Sequence, residues 1–501
     1  ISSSRLMGRV SLANSSMDRP KATDRRRSDI NQGVYQLGLA LLLGITLIKQ
    51  TKTPTLLLPR WIATAVPGEP LLESQGVLVR DGLICEIAAQ DEIRWRYPDA
   101  ERVELADHLL IPGLVNLHTH AAMALLRGVG DDLPLHTWLQ DRIWPLEREL
   151  VSESFVYDGS LLAAIEMLQG GITTVNDMYF FPEQAISAMR AAGMRVCAGL
   201  LVIDFPSAYA NDADDYLRKG MALRDRWLDD PGVSFCLAPH APYTVSDLAL
   251  QQVAVLSAEL ALPVHIHLHE TAFEVEESLR VHGLRPLQRL AKLGLLGPDL
   301  IAVHAVHLNE TDIAMMAAAA AHVAHCPHSN LKLASGFAPV AAFLESGINV
   351  GLGTDGAASN NRLDLLAEAA TAARLAKAVA GDASAFAAPQ VLHALTLGGA
   401  TALGLQERIG SIELGKEADL VAIDMAGLAC SPCMDPLSHL VYVCGREQVS
   451  DVWIRGEPVV RMRQPVSIAL HELRDRLRSR LPLWQNQLVS QLNRLNRQTV
   501  V

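Results

Sequence analysis

The chain has 501 residues, half of them apolar and a fifth charged, which is enough for one large domain plus a smaller one and ordinary for a globular enzyme. A net charge of −12 argues against a nucleic-acid binder and gives the chain no general reason to sit on an anionic membrane. Seven cysteines, odd in number and scattered, argue against a disulfide scaffold and suit a reducing, cytoplasmic compartment.

Residues 1–53 differ from the remainder. They are polar, with Arg25-Arg26-Arg27, and lead into an apolar run from Leu37 to Ile48. Basic then apolar is the grammar of a signal peptide or anchor, but the run is too short to span a bilayer comfortably. The expectation is a disordered extension, or one left by a start assigned too far upstream. Over 54–110 short strands follow, separated by turn residues: Thr55–Arg60, Gly76–Arg80, Leu83–Ile87 and Arg102–Leu105. A matching set returns over 411–465, at Asp419–Ile423, Val449–Ile454 and Pro458–Arg461. Two such flanks imply one small composite β-sandwich.

Between them, over 111–410, strands and helices alternate, as in a parallel sheet closed by helices. Strand candidates are Leu114–His120, Ile172–Met178, Arg195–Ile203, Val233–His240, Val264–His269, Ile301–His307, His322–Pro327 and Asn349–Asp355. Eight β/α units of this size predict a (β/α)8 TIM barrel, with its site at the C-terminal strand ends. The tail, 466–501, carries Leu473, Leu477, Leu481, Leu488, Leu492 and Leu495 at helical spacing. It reads as an amphipathic helix packed on the barrel or a partner subunit, split in two by Pro482.

The polar clusters fall at the strand ends. His118 and His120 close the stretch Ile111–His120 at spacing i, i+2, so on a strand both imidazoles face one point and offer two ligands to a divalent metal. Alone, such a pair is as well read as surface or capped histidines. Further along come His240, then His265, His267 and His269 with Glu270, then His304 and His307, Cys326-Pro-His328-Ser-Asn330 and Thr354-Asp355-Gly356. Polar groups buried without partners cost roughly 1–3 kcal/mol each, so packing alone accounts poorly for the set. On spacing, His265 and His269 rival His267 as a ligand. Cys430 and Cys433 form a lone CxxC and read as two reduced thiols in a loop.

His118-Thr-His120, His265-Ile-His-Leu-His-Glu270 and Gly353-Thr-Asp-Gly-Ala-Ala-Ser-Asn-Asn361 resemble the amidohydrolase superfamily in its nucleoside and nucleobase deaminase branch. The nearest likeness, over about 54–465, is to the 5-methylthioadenosine/S-adenosylhomocysteine deaminases. It includes Leu126-Arg-Gly128, Trp144-Pro-Leu-Glu147, His240-Ala-Pro-Tyr243 and Ser329–Leu333. The resemblance implies metal ligands His118, His120, His267 and Asp355, with His304 close by, and one divalent ion, zinc, because no lysine lies between Val233 and Thr244 to bridge a second. It implies a hydroxide-like water attacking C6 of an adenine ring. Glu270 would protonate the ring nitrogen, Asp355 would shuttle the water's proton to the leaving ammonia, and His304 would orient the attacking oxygen. Glu147 would hold the ribose and His240 would touch the nucleoside; without the resemblance Glu147 is an ordinary exposed acid, while for Glu270 a cap on the helix after Thr271 is the lesser alternative, given its neighbours.

Members that accept S-adenosylhomocysteine place arginines after the third strand, whereas Ala198–Asn211 contains neither Arg nor Lys. The expected substrate is therefore a small-molecule nucleoside, 5'-methylthioadenosine first, adenosine second, and S-adenosylhomocysteine less. The rival readings are a deaminase of guanine, cytosine or a triazine, and a non-catalytic barrel that binds. A homo-oligomer is typical of the family.

Overall fold

The computed structural model describes residues 53–466 and 468–498. The basic and apolar stretches before them lie outside the described residues. The leading flank forms Thr55–Ile62 (β1), Leu72–Glu73 (β2), Gln75–Arg80 (β3), Leu83–Ala89 (β4) and Glu101–Pro112 (β5). β5 shows how sequence divides its surroundings. Val103 and Leu105 are buried between exposed Glu104 and Ala106, and Leu109 to Pro112 are then buried continuously. The first half is a strand with one wet face; the second runs beneath the barrel.

Gly113 is the joint between the two. A Cβ there would lie 2.2 Å from Thr173 Oγ1, and its N–H donates to the Asp419 carbonyl at 2.8 Å, so glycine is required. Beyond it the eight expected strands appear in order: Leu114–Thr119 (β6), Ile172–Asp177 (β7), Arg195–Val202 (β8), Val233–Pro239 (β9), Val264–Leu268 (β10), Leu300–His304 (β11), His322–His325 (β12) and Asn349–Leu352 (β13). All are parallel neighbours in sequence order. The seam between β13 and β6 is closed by side chain as well as main chain. Asn116 accepts from Thr354 N–H at 3.0 Å and donates to Thr354 Oγ1 at 2.8 Å, and Asp355 N–H donates to the His118 carbonyl at 3.0 Å.

Helices follow the strands, and their starts are written in the sequence. Ser152, Asp212, Ser246, Thr271, Asn309 and Asp364 each cap a helix by accepting a main-chain N–H two or three residues inside it.

The returning flank supplies Leu420–Asp424 (β14), Val449–Ile454 (β15), Glu457–Arg461 (β16) and Gln464–Pro465 (β17). Both flanks belong to one continuous sheet, ordered β17-β16-β15-β14-β5-β1-β3-β4, with β2 on β1. The sheet folds over a common core that includes Leu57, Val77, Ile84, Leu420 and Trp453. Its far ends meet where the β3–β4 turn at Gly82 abuts the Arg455 carbonyl. Arg195, buried at the start of β8, ties sheet to barrel through Asp419 (3.1 Å) and Glu417 (2.5 Å).

The tail corrects one expectation. Pro482 does not split it: Ile468–Gln498 is a single helix with the proline inside. Contacts on both sides hold it together. Leu477 is buried, Leu481 and Leu488 pack on the core, and Trp484 Nε1 and Arg480 both reach the buried Asp158 carboxylate, at 2.8 and 2.9 Å. No described helix is long and apolar enough to cross a membrane.

Candidate active site

The strand ends gather the expected side chains at the barrel mouth. His118 Nε2 and His120 Nε2 each stand 3.3 Å from Asp355 Oδ1. The donor atoms of His118, His120 and Asp355 lie within 4.8 Å of one another, as do those of His118, His267 and His304. Two atoms bound ~2.0–2.1 Å from one tetrahedral ion stand ~3.3 Å apart, so this spacing is a ligand spacing.

Outer contacts set the tautomers. His120 Nδ1 donates to the Met178 carbonyl at 2.5 Å, and His267 Nδ1 to the His240 carbonyl at 2.6 Å. That leaves each Nε2 a bare lone pair turned inward. His118 Nδ1 meets His265 Nε2 at 3.0 Å, and its own buried Nε2 has no hydrogen-bond partner. Lone pairs facing a carboxylate oxygen repel unless a cation lies between them, so the donor set fits a divalent ion.

Burial keeps the imidazoles neutral, pushing His118 down to about 4, His240 to about 3 and His267 well below its ordinary value. Burial opposes ionisation of Asp355, but the imidazoles of His118, His120 and His304 around it hold it well below the carboxylate range. Ser329 donates to its Oδ2 at 2.6 Å and Gly356 N–H to its Oδ1 at 2.7 Å.

Glu270 follows β10. Burial raises its carboxyl above the ordinary value, and its Oε1 lies 3.8 Å from His304 Nε2. His304 is fixed by Nδ1, 2.8 Å from Asn330 Oδ1. Glu147 comes from the helix Trp144–Leu150. Its Oε1 accepts from Tyr179 Oη at 2.7 Å, and burial pushes it up to about 7 even though the residue opens on the cleft. That cleft, about 620 Å³, also takes in His120, His240, His267, Glu270, His304 and Asp355, with an apolar wall from Trp138, Trp144, Phe180, Leu201 and Phe205.

A sequence model of the amidohydrolase family matches residues 109–459. The chain belongs to the amidohydrolase family. The 5-methylthioadenosine/S-adenosylhomocysteine deaminase of Teredinibacter turnerae is 47% identical over 82% of this chain and 93% of its own. That of Syntrophobacter fumaroxidans is 40% identical over 85% and 98%. An adenosine deaminase of Xanthomonas campestris, solved with bound zinc, superposes with a TM-score of 0.84 at 45% identity, over 87% of this chain and 99% of that one.

In this amidohydrolase the three histidines in and just after β10 separate by role. His267 faces the cleft, while His265 contacts His118 from behind. His269 turns away, its Nε2 accepting the Leu287 N–H at 3.1 Å. His307 is engaged by the Ser335 carbonyl and His328 by Glu368 and Thr371, all outside the cluster. Cys430 and Cys433 are free thiols. Of the arginines that were candidates to reach the substrate, Arg127 is tied to Glu166 and the Asn361 carbonyl, and Arg218 pairs with Asp215. Sequence reasoning missed Arg148, which lines the cleft. It also missed Tyr179, and it singled out Ser329 and Asn330 after His328 without giving them a role.

Proposed function

We propose that this amidohydrolase is a zinc-dependent hydrolytic deaminase that converts 5'-methylthioadenosine, and adenosine, to the inosine analogue and ammonia. One observation carries the reading: imidazole nitrogens of fixed tautomer and one carboxylate oxygen converge beside a buried acid, Glu270, in a cleft of nucleoside size. The relatives named for this substrate pair, and the zinc-bound adenosine deaminase, support substrate and metal.

His118, His120, His267 and Asp355 would hold one divalent ion, probed by the donor geometry above. A zinc ion there supplies Lewis acidity and lowers the pKa of a water towards ~7. Glu270, whose carboxyl burial raises above its ordinary value, gives its proton to the ring nitrogen as C6 becomes tetrahedral. Asp355 accepts the water's proton and returns it to the departing ammonia, and Ser329 and Gly356 keep its oxygens aimed. His304, held by Asn330, orients the attacking oxygen. Glu147 takes the ribose hydroxyls and His240 the sugar side of the nucleoside.

The division into a β domain from 54–110 and 411–465, a barrel over 111–410 and a terminal helix over 466–501 belongs to the same reading. So do a cytoplasmic location and a homo-oligomer without a nucleic-acid partner, in keeping with the acidic charge. Ammonia release is the test, measured in parallel on methylthioadenosine, adenosine, S-adenosylhomocysteine, guanine, cytosine and a triazine. Release from a base or triazine with none from the nucleosides would replace the substrate assignment.

A further inference from the structure

Behind the cleft sits a second carboxylate that the reaction described above does not use. β10 ends at Leu268, and the next residue, His269, takes a left-handed φ of 55°, uncommon for a residue with a side chain. The turn sends the chain to Glu270. Thr271 then caps the helix Ala272–His282, accepting from Glu274 N–H at 3.2 Å. A glutamate at that third helical position ordinarily reaches back to the cap residue. Glu274 reaches further: Oε1 accepts from His269 N–H at 2.9 Å and Oε2 from Glu270 N–H at 2.8 Å.

Glu274 is buried, 4% exposed, and no Lys, Arg or His among the described residues forms an ion pair with it. Burial lifts its carboxyl to about 8 although the N–H groups of His269 and Glu270 pull it down, and a buried acid is costly to keep unless its hydrogen bonds are needed. The His269–Glu270 step is thus pinned on both N–H groups by one side chain and, through the His269 ring, by Leu287 N–H. Rotation of this step would swing the Glu270 carboxyl across the cleft. A misplacement of about 1 Å at a reacting group can cost about 100-fold.

We propose that Glu274 is a positioning residue for deamination, touching neither substrate nor metal site and acting by holding the main chain that aims Glu270. This rests on the reading of Glu270 as the proton donor. The test is a double-mutant cycle on the full-length, zinc-loaded enzyme with methylthioadenosine, using Glu274→Ala, Glu274→Gln, Glu270→Ala and both combinations. Glu274→Ala should lower kcat by about 10–100-fold with KM within about threefold and zinc content unchanged. Glu274→Gln, which keeps one acceptor and the volume, should recover part of that loss. In the Glu270→Ala background either change at 274 should alter the residual kcat by less than about twofold, because the group it positions is gone. Equal fold-losses in both backgrounds, or a kcat within about twofold of the parent, overturn the proposal while leaving Glu270 its role. A normal kcat for Glu270→Ala removes the proton-donor reading itself. Should Glu274→Ala fail to fold, the Glu274→Gln pair completes the cycle.

Discussion

His118 and His265 face each other across the barrel interior, Nδ1 to Nε2 at 3.0 Å, from β6 and β10. The contact makes His265 the orienter of a ligand rather than a ligand. His265→Phe is expected to weaken zinc binding by about 10–100-fold, with activity restored by excess zinc. His267→Ala should lose the ion outright. Zinc per chain after dialysis against a chelator distinguishes them, the parent holding about one. Two tightly held ions per chain would refute the mononuclear site.

Glu147 gives a pH dependence of definite sign. Its carboxyl is lifted by burial from an ordinary 4.5 to about 7, with Tyr179 opposing the shift. A raised acid contributes stability below its unfolded pKa, and that contribution is lost as pH rises from about 4.5 through 7. Glu147→Gln should therefore raise the melting temperature relative to the parent more at pH 8 than at pH 5. Because the carboxylate is the form that binds a diol, KM of the parent should climb as pH falls below 7, and KM of the variant should be about tenfold higher at pH 8. A variant KM matching the parent at both pH values would remove Glu147 from the ribose.

Methylthioadenosine should be the better thioether substrate. The loop after β8 offers no cation, and the one that lines the cleft, Arg148, is exposed and forms no ion pair among the described residues. An exposed pair contributes at most about 1 kcal/mol. Arg148→Ala is thus expected to lower kcat/KM for S-adenosylhomocysteine by about fivefold or less, and for methylthioadenosine hardly at all. Equal kcat/KM for the two substrates in the parent enzyme would show that a stronger cation reaches the tail.

The terminal helix stiffens the cleft wall. Trp484 packs edge-on against Phe155, with ring centres 5.4 Å apart, and donates to Asp158. The same helix packs on Trp144–Leu150, which carries Glu147, with Arg494 3.6 Å from Glu149. Trp484→Ala should cost about 2–3 kcal/mol in denaturant titration and raise KM by a few-fold. A loss of stability with KM unmoved would mean that the helix supports the fold alone.

A chain beginning at Thr53 should retain full kcat/KM, since every residue assigned to the chemistry lies at or beyond His118. Inactivity of that shortened protein would assign a role to the residues removed.

The barrel was legible because strand-length segments buried on both faces alternate with helical ones, and several are followed by polar residues such as His118 or Asp355. The parity of His265, His267 and His269 put three imidazoles on one face, and spacing could not say that His269 follows a left-handed turn away from it. Pro482 misled because a local rule, the missing N–H, was outweighed by tertiary contacts at Leu477, Trp484 and Arg480. Arg148 and Glu274 lie one and four residues beyond acids that were recognised, yet a helix turns one into the cleft and the other behind it. Only the path of the chain shows which.

β5 pairs with β1 on one edge and β14 on the other, and about 300 residues separate it from β14. During synthesis at ~5–20 residues per second, the leading strands leave the ribosome on the order of 15–60 s before their last partners exist. Through that interval the β5 edge, with Leu109, Leu110 and Ile111, is an open template for other nascent chains. The whole barrel must be made before the sheet that precedes it can close. A holding chaperone would therefore matter more for this protein's yield than its finished stability would suggest.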